Sequence, residues 1–224
     1  MKSNFEFLNR YWPALAQIGE TAENYLYSDP NACIFKIGLF AERLVQEILV
    51  FERMAEPEVD NTHANRIRIL KRAGLLPHEI DNTLYLLRKT RNSAVHAGAD
   101  SVDEAKMLLS MTYNLAVWFM ETYGDWGYIA PDFVMPEEVV HPDFEALIAE
   151  QEKKIAELSK QLAAVTTTVS GTTQKERAKQ SEKVSSMMNW TEAQTRCLID
   201  EQLQKAGWEA DTKNLRYSKG TRPV

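Results

Sequence analysis

Residues 29–51 read DPNACIFKIGLFAERLVQEILVF, and this stretch decides the fold class. Asp29 is suited to cap a helix, because its carboxylate can accept a hydrogen bond from the first turn, and Pro30 fits the first helical position. The apolar positions that follow recur three and four residues apart, at Ile34, Ile37, Phe40, Ala41, Leu44, Val45, Ile48 and Leu49. So wide an apolar stripe predicts a central helix, buried among other helices.

The segments on either side of this helix have the same period, which predicts a helical bundle over residues 1–135. Residues 4–26 form one such segment, and Pro13 must kink or interrupt it. A shorter helix is expected to start at Asn61 or Thr62 and to stop at Gly74. Pro77 begins the next helix, which has apolar side chains along one face.

The capping-box pattern SVDE at residues 101–104 opens a further helix. Its apolar stripe includes Trp118 and Phe119, and we expect it to end near Gly124. We assign the two aromatic side chains to the core rather than to a stacking surface. Residues 124–142 are rich in Gly, Pro and aromatic residues, which predicts an extended chain that packs back on the bundle.

Residues 136–188 are predicted to form a helical, coiled-coil-like arm or linker. Alternating a and d positions of a heptad repeat fall on Ile148, Gln151, Ile155, Leu158, Leu162, Val165 and Val169. Only about three heptads are covered, so the segment could be an arm, a helical hairpin or a docking helix. Self-association of the chain through the arm or the bundle is a further alternative. The polar stretch 166–186, interrupted by Gly171, indicates a hairpin turn or flexible linker.

Residues 189–224 are predicted to begin a second domain. The pattern TEAQ at 191–194 is another capping box, and it opens a helix that Gly207 closes. The following residues, 208–217, have a strand-like and turn-like pattern. Since one helix and one strand cannot bury a core alone, this domain is either incomplete or completed by another chain.

Charge and composition indicate where in the cell the protein is found and which partners it can bind. Residues 1–149 contain 13 Lys and Arg against 22 Asp and Glu, whereas residues 150–224 contain 13 against 10. The acidic first part is a poor electrostatic match for DNA phosphates. No signal peptide is evident, no stretch approaches the roughly 18 apolar residues of a membrane helix, and Cys33 and Cys197 lie far apart within apolar helical patterns. We therefore expect a cytoplasmic protein without a membrane partner.

The sharpest candidate for chemistry is the stretch LLRKTRNSAVH, which ends at His96. Arg91 and His96 are five residues apart, about 140° around a helix, and they reach a shared groove if the helix ends there. Arg88, Asn92 and His96 form a better aligned stripe with one helical turn between neighbours. His63 lies at a predicted helix start, without a further ligand at metal-binding spacing.

An Arg followed by a polar residue, three others and a His within a helical bundle resembles the HEPN superfamily. In catalytic HEPN members this motif is the active site of a metal-independent, dimeric ribonuclease. The resemblance implies that His96 assists attack of the ribose 2′-hydroxyl and that Arg91 stabilises the charge of the phosphorane. Noncatalytic HEPN-like domains share Arg88, Asn92 and His96, and there the stripe braces the helix end. Partner binding is a third alternative.

Three stretches, one of which includes the motif described above, resemble the N-terminus of the R (restriction and motor) subunit of type I restriction–modification enzymes. SNFEFL, from Ser3, resembles the opening of one branch of that family. LRKTRNSAVH, followed by LAVWFM and PDFVMP, resembles its HEPN-like domain. TEAQTRCLIDEQLQKAGW, from Thr191, followed by NLRYSKGTRP, resembles the first helix and loop of its nuclease domain. The resemblance covers essentially the whole chain.

The resemblance to R subunits implies a mainly α chain with three parts. They are a HEPN-like bundle, a helical arm, and the first helix and strand of an α/β nuclease domain of the PD-(D/E)xK type. Glu192 matches a Glu that such nucleases often have beside their metal site, although a first-turn acid stabilised by the helix dipole explains it equally well.

The resemblance also implies what the parent protein binds. R subunits cut DNA with Mg²⁺ and translocate it with ATP, in complexes with methylase and specificity subunits. The residues that hold Mg²⁺ and ATP lie beyond the matched segment, so we expect no cofactor and no DNA cleavage in this chain. A role in docking or positioning within the restriction complex is expected instead.

Overall fold

The computed structural model describes residues 2–57, 60–97, 101–138, 150, 153–157 and 172–208, with only the backbone of residues 93–97. Within this part of the chain every regular element is a helix, so the predicted mainly α class is confirmed. None of these described helices is both long and apolar enough to cross a membrane. The α-helices are α1 (Pro13–Tyr25), α2 (Pro30–Phe51), α3 (His63–Arg72), α4 (His78–Ala97), α5 (Val102–Phe119), α6 (Gln174–Met187) and α7 (Glu192–Lys205).

Pro13 interrupts the first helical segment, as the sequence predicts. A 3₁₀ turn, Glu6–Arg10, precedes it, and α1 begins at the proline because that residue fits the first helical position. Phe5 is fully buried against α1. A Cβ atom at Gly19 would lie 2.3 Å from Phe5 Cγ, so the absence of a side chain at Gly19 permits this close approach.

Helix α2 is the centre of the bundle and contacts α1, α3, α4 and α5. Asp29 caps it as predicted, accepting a hydrogen bond from the amide of Ala32 at 2.9 Å. The whole predicted apolar stripe is at most 1% exposed: Ile34, Ile37, Phe40, Ala41, Leu44, Val45, Ile48 and Leu49. Burial of this face on several sides contributes substantially to the hydrophobic stabilisation of the domain.

Two other predicted helix starts are confirmed. The side chains of Thr62 and Ser101 each accept a hydrogen bond from a backbone amide in the first turn, of α3 and α5 respectively. Helix α5 continues into a π-helical turn, Met120–Gly124, which ends at the predicted glycine. Trp118 and Phe119 are fully buried, in agreement with their assignment to the core.

Residues 125–138 have no regular structure and lie back against the bundle, as predicted. The Asn4 side chain donates to the carbonyl oxygen of Val134 at 2.8 Å and accepts from its amide at 2.9 Å. The hydroxyl of Tyr27 donates to the carbonyl oxygen of Pro136 at 2.8 Å. These bonds satisfy backbone groups that a strandless segment would otherwise leave unpaired.

Helix α6 corrects the interpretation of residues 166–186 as a turn or flexible linker. Residues 174–186 of that stretch belong to a helix that packs on the bundle. Arg177 forms an ion pair with Glu52, at the end of α2, and Trp118 Nε1 donates to Ser181 Oγ at 3.2 Å. The stretch is polar because α6 docks largely through hydrogen bonds and an ion pair, which the hydrophobic pattern does not reveal.

Two predicted features fall mainly outside the described residues. The heptad run 148–169 is described only at residue 150 and over 153–157, and of its a and d positions only Ile155, which is buried, lies within this part. Most of the strand-like stretch 208–217 also lies outside. The domain boundaries at residues 135 and 188 stay a prediction.

Candidate functional site

Arg91 lies at a contact between α4 and α2. Its Nη1 donates to Glu42 Oε2 at 2.7 Å, and its Cζ is 4.8 Å from the centre of the Phe35 ring. A Cβ atom at Gly38 would lie 2.3 Å from Arg91 Cδ, so the glycine leaves room for the stem of the arginine. The Arg91 and Glu42 side chains are 25% and 26% exposed. Arg91 is therefore anchored to α2 while still accessible from solvent.

The predicted stripe of Arg88, Asn92 and His96 is described only in part. Arg88 Cζ is 5.2 Å from the centre of the Tyr85 ring, and no carboxylate of the described residues forms an ion pair with Arg88. Asn92 is exposed, and the side chain of His96 lies outside the described residues. Bracing of the helix end by this stripe stays a prediction, as do ribonuclease roles for Arg91 and His96.

His63 is a buried polar residue next to this region. His63 is only 9% exposed, and neither of its ring nitrogens has a hydrogen-bond partner among the described residues. Burial lowers the pKa of His63 to about 4; the charge of Glu42 opposes this shift, whereas Arg88, Arg91 and Arg66 reinforce it. His63 is therefore a neutral imidazole near three guanidinium groups at neutral pH.

Arg66 connects this cluster to two acidic residues. Its Nε donates to Glu56 Oε2 at 2.7 Å, and its Nη1 lies 3.4 Å from Glu42 Oε1. Glu42 thus accepts from both Arg66 and Arg91, one from α3 and one from α4. We call His63, Arg66, Arg88, Arg91 and Glu42 the arginine–histidine cluster.

No motif in the sequence singles out His63 or Arg66 as functional residues. The signal was available, because His63 and Arg66 are in register with Ile67 and Leu70 on one face of α3. All four residues are buried. Two polar residues on the apolar face of a helix are a better indication of a buried polar cluster than ligand spacing alone.

We expect the contribution of His63 to the stability of the chain to fall as the pH decreases from about 6.5 towards about 4. The folded-state pKa of His63 is lowered from 6.5 to about 4, so within this window the unfolded chain binds a proton that the folded chain excludes. The contribution to the free energy of unfolding changes by at most about 1.4 kcal/mol per pH unit. Urea unfolding measured across the window gives this slope.

The matched variants are His63→Leu and His78→Leu. His78 is exposed at the start of α4, so His78→Leu removes a histidine from the surface and serves as the control for the loss of a buried one. Loss of the buried histidine in His63→Leu is expected to flatten the slope. Equal slopes for both variants would contradict the account of His63.

Glu192 stands in the first turn of α7, which the predicted Thr191–Gln194 capping box opens. Its Oε1 accepts a hydrogen bond from Arg196 Nη2 at 2.6 Å, and the Glu192 and Arg196 side chains are 79% and 59% exposed. Over the described ranges no three His, Cys, Asp or Glu side chains converge as metal ligands. The described residues thus do not fit a Mg²⁺ site of the nuclease type, and a supporting role of Glu192 stays a prediction.

Helix α7 docks on the bundle, where it contacts α4 and α5. Lys89 Nζ donates to Glu201 Oε1 at 2.6 Å, and the Glu201 side chain is only 9% exposed. Gln194 Nε2 donates to Ser110 Oγ at 2.8 Å. Leu198, on the same face of α7, is 7% exposed. An apolar contact with polar contacts on either side fixes α7 against the helix that carries Arg88 and Arg91.

Residues 20–183, from within α1 to within α6, match the family model described as "Domain of unknown function (DUF4145)". The chain belongs to the DUF4145 family. Most of α6 lies within the matched residues of the DUF4145 domain, whereas α7 follows it. This agrees with the packing of α6 on the bundle.

The chain is also similar to the "Type I restriction enzyme EcoKI endonuclease subunit" of Escherichia coli (strain K12). The two are 28% identical over an alignment 273 positions long, which covers 99% of this chain and 23% of the relative. The chain therefore spans less than a quarter of the length of that relative. The resemblance to type I restriction subunits predicted from the sequence is confirmed. No solved structure matches the chain significantly.

Proposed function

We propose that this chain is the N-terminal part of a type I restriction subunit, in which the DUF4145 domain positions the first helix of the nuclease domain. The similarity to a restriction endonuclease subunit extends over 99% of the chain, including α7. Residues 191–208 carry the resemblance to the first nuclease helix. Because α7 packs on α4 and α5, the bundle sets the position and direction from which a domain beginning with α7 would continue.

The observation that carries this proposal is the contact between Lys89 and Glu201. Lys89 Nζ also donates to Gln204 Oε1 at 2.9 Å, so one cation from α4 holds two side chains of α7. Lys205 Nζ lies 3.6 Å from the centre of the Tyr85 ring, which is again on α4. Several specific contacts define both the position and the rotation of α7, as a positioning role requires.

In this role the chain has no catalytic step of its own. The complete subunit supplies the Mg²⁺ and ATP sites, and binds DNA, outside these residues. The methylase and specificity subunits are the expected partners, and the cytoplasm is the expected location. We assign the bundle a HEPN-like fold because of the motif around Arg88, Asn92 and His96. Its docking role within this complex rests on the acidic character of the bundle, which makes it a poor match for DNA.

The proposal is tested by reversing the charges of the Lys89–Glu201 pair in the complete subunit. We expect Lys89→Glu and Glu201→Lys each to reduce restriction of unmodified phage, because each variant sets two like charges against each other in a contact that is buried on the α7 side. The double variant re-forms an ion pair and is expected to recover most of the activity.

Assembly with the methylase and specificity subunits serves as the control for folding of these variants. All three variants are expected to copurify with the partner subunits as the wild type does. Normal restriction by both single variants would contradict the positioning role. Failure of the double variant to recover activity, with assembly intact, would contradict it as well.

The ribonuclease alternative depends on Arg91 and His96. The Nη1 of Arg91 is engaged by Glu42 at 2.7 Å, so a phosphate would have to compete with that carboxylate. RNA cleavage without metal by the wild type, Arg91→Ala and His96→Ala decides this alternative. Activity in the wild type that both variants lose would establish it, and equal background in all three would remove it.

A further inference from the structure

A cavity of about 1020 Å³ opens at the surface where three separate parts of the chain meet. Its walls are residues 2–7, the second half of α1 with the residues that follow it, and the irregular segment 131–137. None of the lining residues that the structure describes belongs to helices α2 to α7. The cavity is therefore separate from the arginine–histidine cluster and from the docking of α7.

The lining of the cavity is strongly acidic. Five carboxylates contribute to it: Glu6, Glu20, Glu23, Asp132 and Glu137. Lys2 is the one cation among the described lining residues; its side chain is 86% exposed and already pairs with Glu6 at 3.2 Å. Helix α1 also ends here, and no basic residue in its last turn offsets the partial negative charge of its C-terminal carbonyl groups. The cavity thus has a negative potential that favours a cation.

Glu23 is the most buried of these carboxylates, with only 9% of the residue exposed. The backbone amide and the side-chain amide of Asn4 donate to its Oε1 at 3.1 and 2.6 Å. No Lys, Arg or His of the described residues forms an ion pair with it. Burial raises the pKa of Glu23, and the negative charge of Glu20 raises it further, against the hydrogen bonds from Ser3 and Asn4. Because buried charges are normally paired, a carboxylate without a counter-ion in a cavity wall indicates a cationic partner.

The distribution of the carboxylates favours an extended ligand rather than a metal ion. Over the described ranges no three His, Cys, Asp or Glu side chains converge as metal ligands, so the charges are spread along the cavity. Apolar side chains between them suit the alkyl stems of Lys and Arg: Phe7, Pro131, Val134 and Pro136. The ring of Tyr27, another lining residue, has Lys106 Nζ 5.0 Å from its centre, so one ammonium group of the chain already lies against this wall.

We propose that this cavity binds a lysine- or arginine-containing peptide segment of a partner protein. One cationic group of the segment pairs with Glu23, and others pair with Asp132 and Glu137 at the rim, while their stems lie against the apolar wall. The volume favours a peptide over a free polyamine, because it reaches the upper end of the roughly 300–1,000 Å³ of small-molecule pockets and a slender polyamine would leave much of it to water. The proposal does not depend on the positioning role of the domain.

The proposal is tested by calorimetric titration of the whole chain with an acetylated, amidated trilysine peptide and with spermidine at low ionic strength. Both probes carry the same positive charge at neutral pH, so a difference in affinity reflects the peptide itself. We expect trilysine to bind more tightly than spermidine. We also expect Asp132→Asn combined with Glu137→Gln to weaken trilysine binding by about tenfold or more, because two carboxylates at the rim are lost.

The matched control is Asp103→Asn combined with Glu182→Gln, on α5 and α6. All four substituted residues are exposed, so both double variants are expected to fold, and both remove the same two negative charges from the chain. The control is expected to leave the affinity for trilysine unchanged. The proposal is overturned if trilysine does not bind the wild type, or if the two double variants weaken binding alike. Tighter binding of spermidine than of trilysine would identify a polyamine site and overturn it as well.

Discussion

Replacement of Arg177 by alanine is expected to lower the free energy of unfolding by about 3–5 kcal/mol. Arg177 Nε and Nη2 donate to the two carboxylate oxygens of Glu52 at 2.7 and 2.6 Å. The two side chains are only 6% and 1% exposed, so the variant leaves a carboxylate buried without its cation. The guanidinium also lies 5.0 Å from the centre of the Phe51 ring, and this contact is lost too.

The measurement is thermal and urea unfolding of the chain beside the matched variant Arg196→Ala. Arg196 pairs with Glu192 across one helical turn, but both side chains are exposed, so its loss is expected to cost about 0.5 kcal/mol or less. For a chain of this size, the Arg177 variant should unfold roughly 6–20 °C below the wild type. Similar small shifts for both variants would show that α6 is not fixed by the buried pair.

Replacement of Leu198 by aspartate is expected to detach α7 from the bundle. Leu198 is 7% exposed on the face of α7 that packs on α4 and α5, and a buried, unpaired carboxylate there costs several kcal/mol (about 3 or more). An isolated helix of this length is marginal in water. Amide hydrogen exchange across residues 192–205 should therefore lose at least about 100-fold in protection.

Ile199→Asp is the matched control for the Leu198 variant. Ile199 is the next residue along the same helix and is 46% exposed, so the new carboxylate remains in water. Exchange protection of residues 192–205 should then stay near the wild-type level, while α2 and α5 remain protected in both variants. If the two aspartate variants exchange alike, α7 does not depend on the contact through Leu198.

The main helices could be predicted from the sequence because their signals are local. The stripe of α2 repeats at helical spacing, and all eight of its apolar positions are buried. Asp29, Thr62, Ser101 and Thr191 each cap a helix through a hydrogen bond to a residue three positions away. Interactions of that range can be inferred from spacing alone.

The docking of α6 could not be predicted, because its partners are distant in the sequence. Arg177 meets a carboxylate 125 residues away, and Ser181 meets an indole 63 residues away. The stretch has few apolar residues, so its hydrophobic period is weak and its composition is that of a linker. Polar side chains acquire a structural role here only through the fold around them.

In the candidate site, too, the sequence predicts the local features but not the contacts between distant residues. Spacing identified Arg88 and Arg91 on one helix, but the partner of Arg91, Glu42, comes from α2, 49 residues away. His63 approaches these arginines only because α3 packs near α4. Helical periodicity indicates that His63 faces inward, yet it carries no information on which charges that face meets.

The most direct test of the positioning role is the rate of DNA cleavage by the purified restriction complex, divided by its rate of ATP hydrolysis. We expect Lys89→Glu to lower this ratio and Lys89→Glu with Glu201→Lys to restore it, because the first variant disturbs the orientation of α7 and the second repairs it. A ratio for Lys89→Glu equal to that of the wild type would contradict the claim that the DUF4145 domain positions the nuclease.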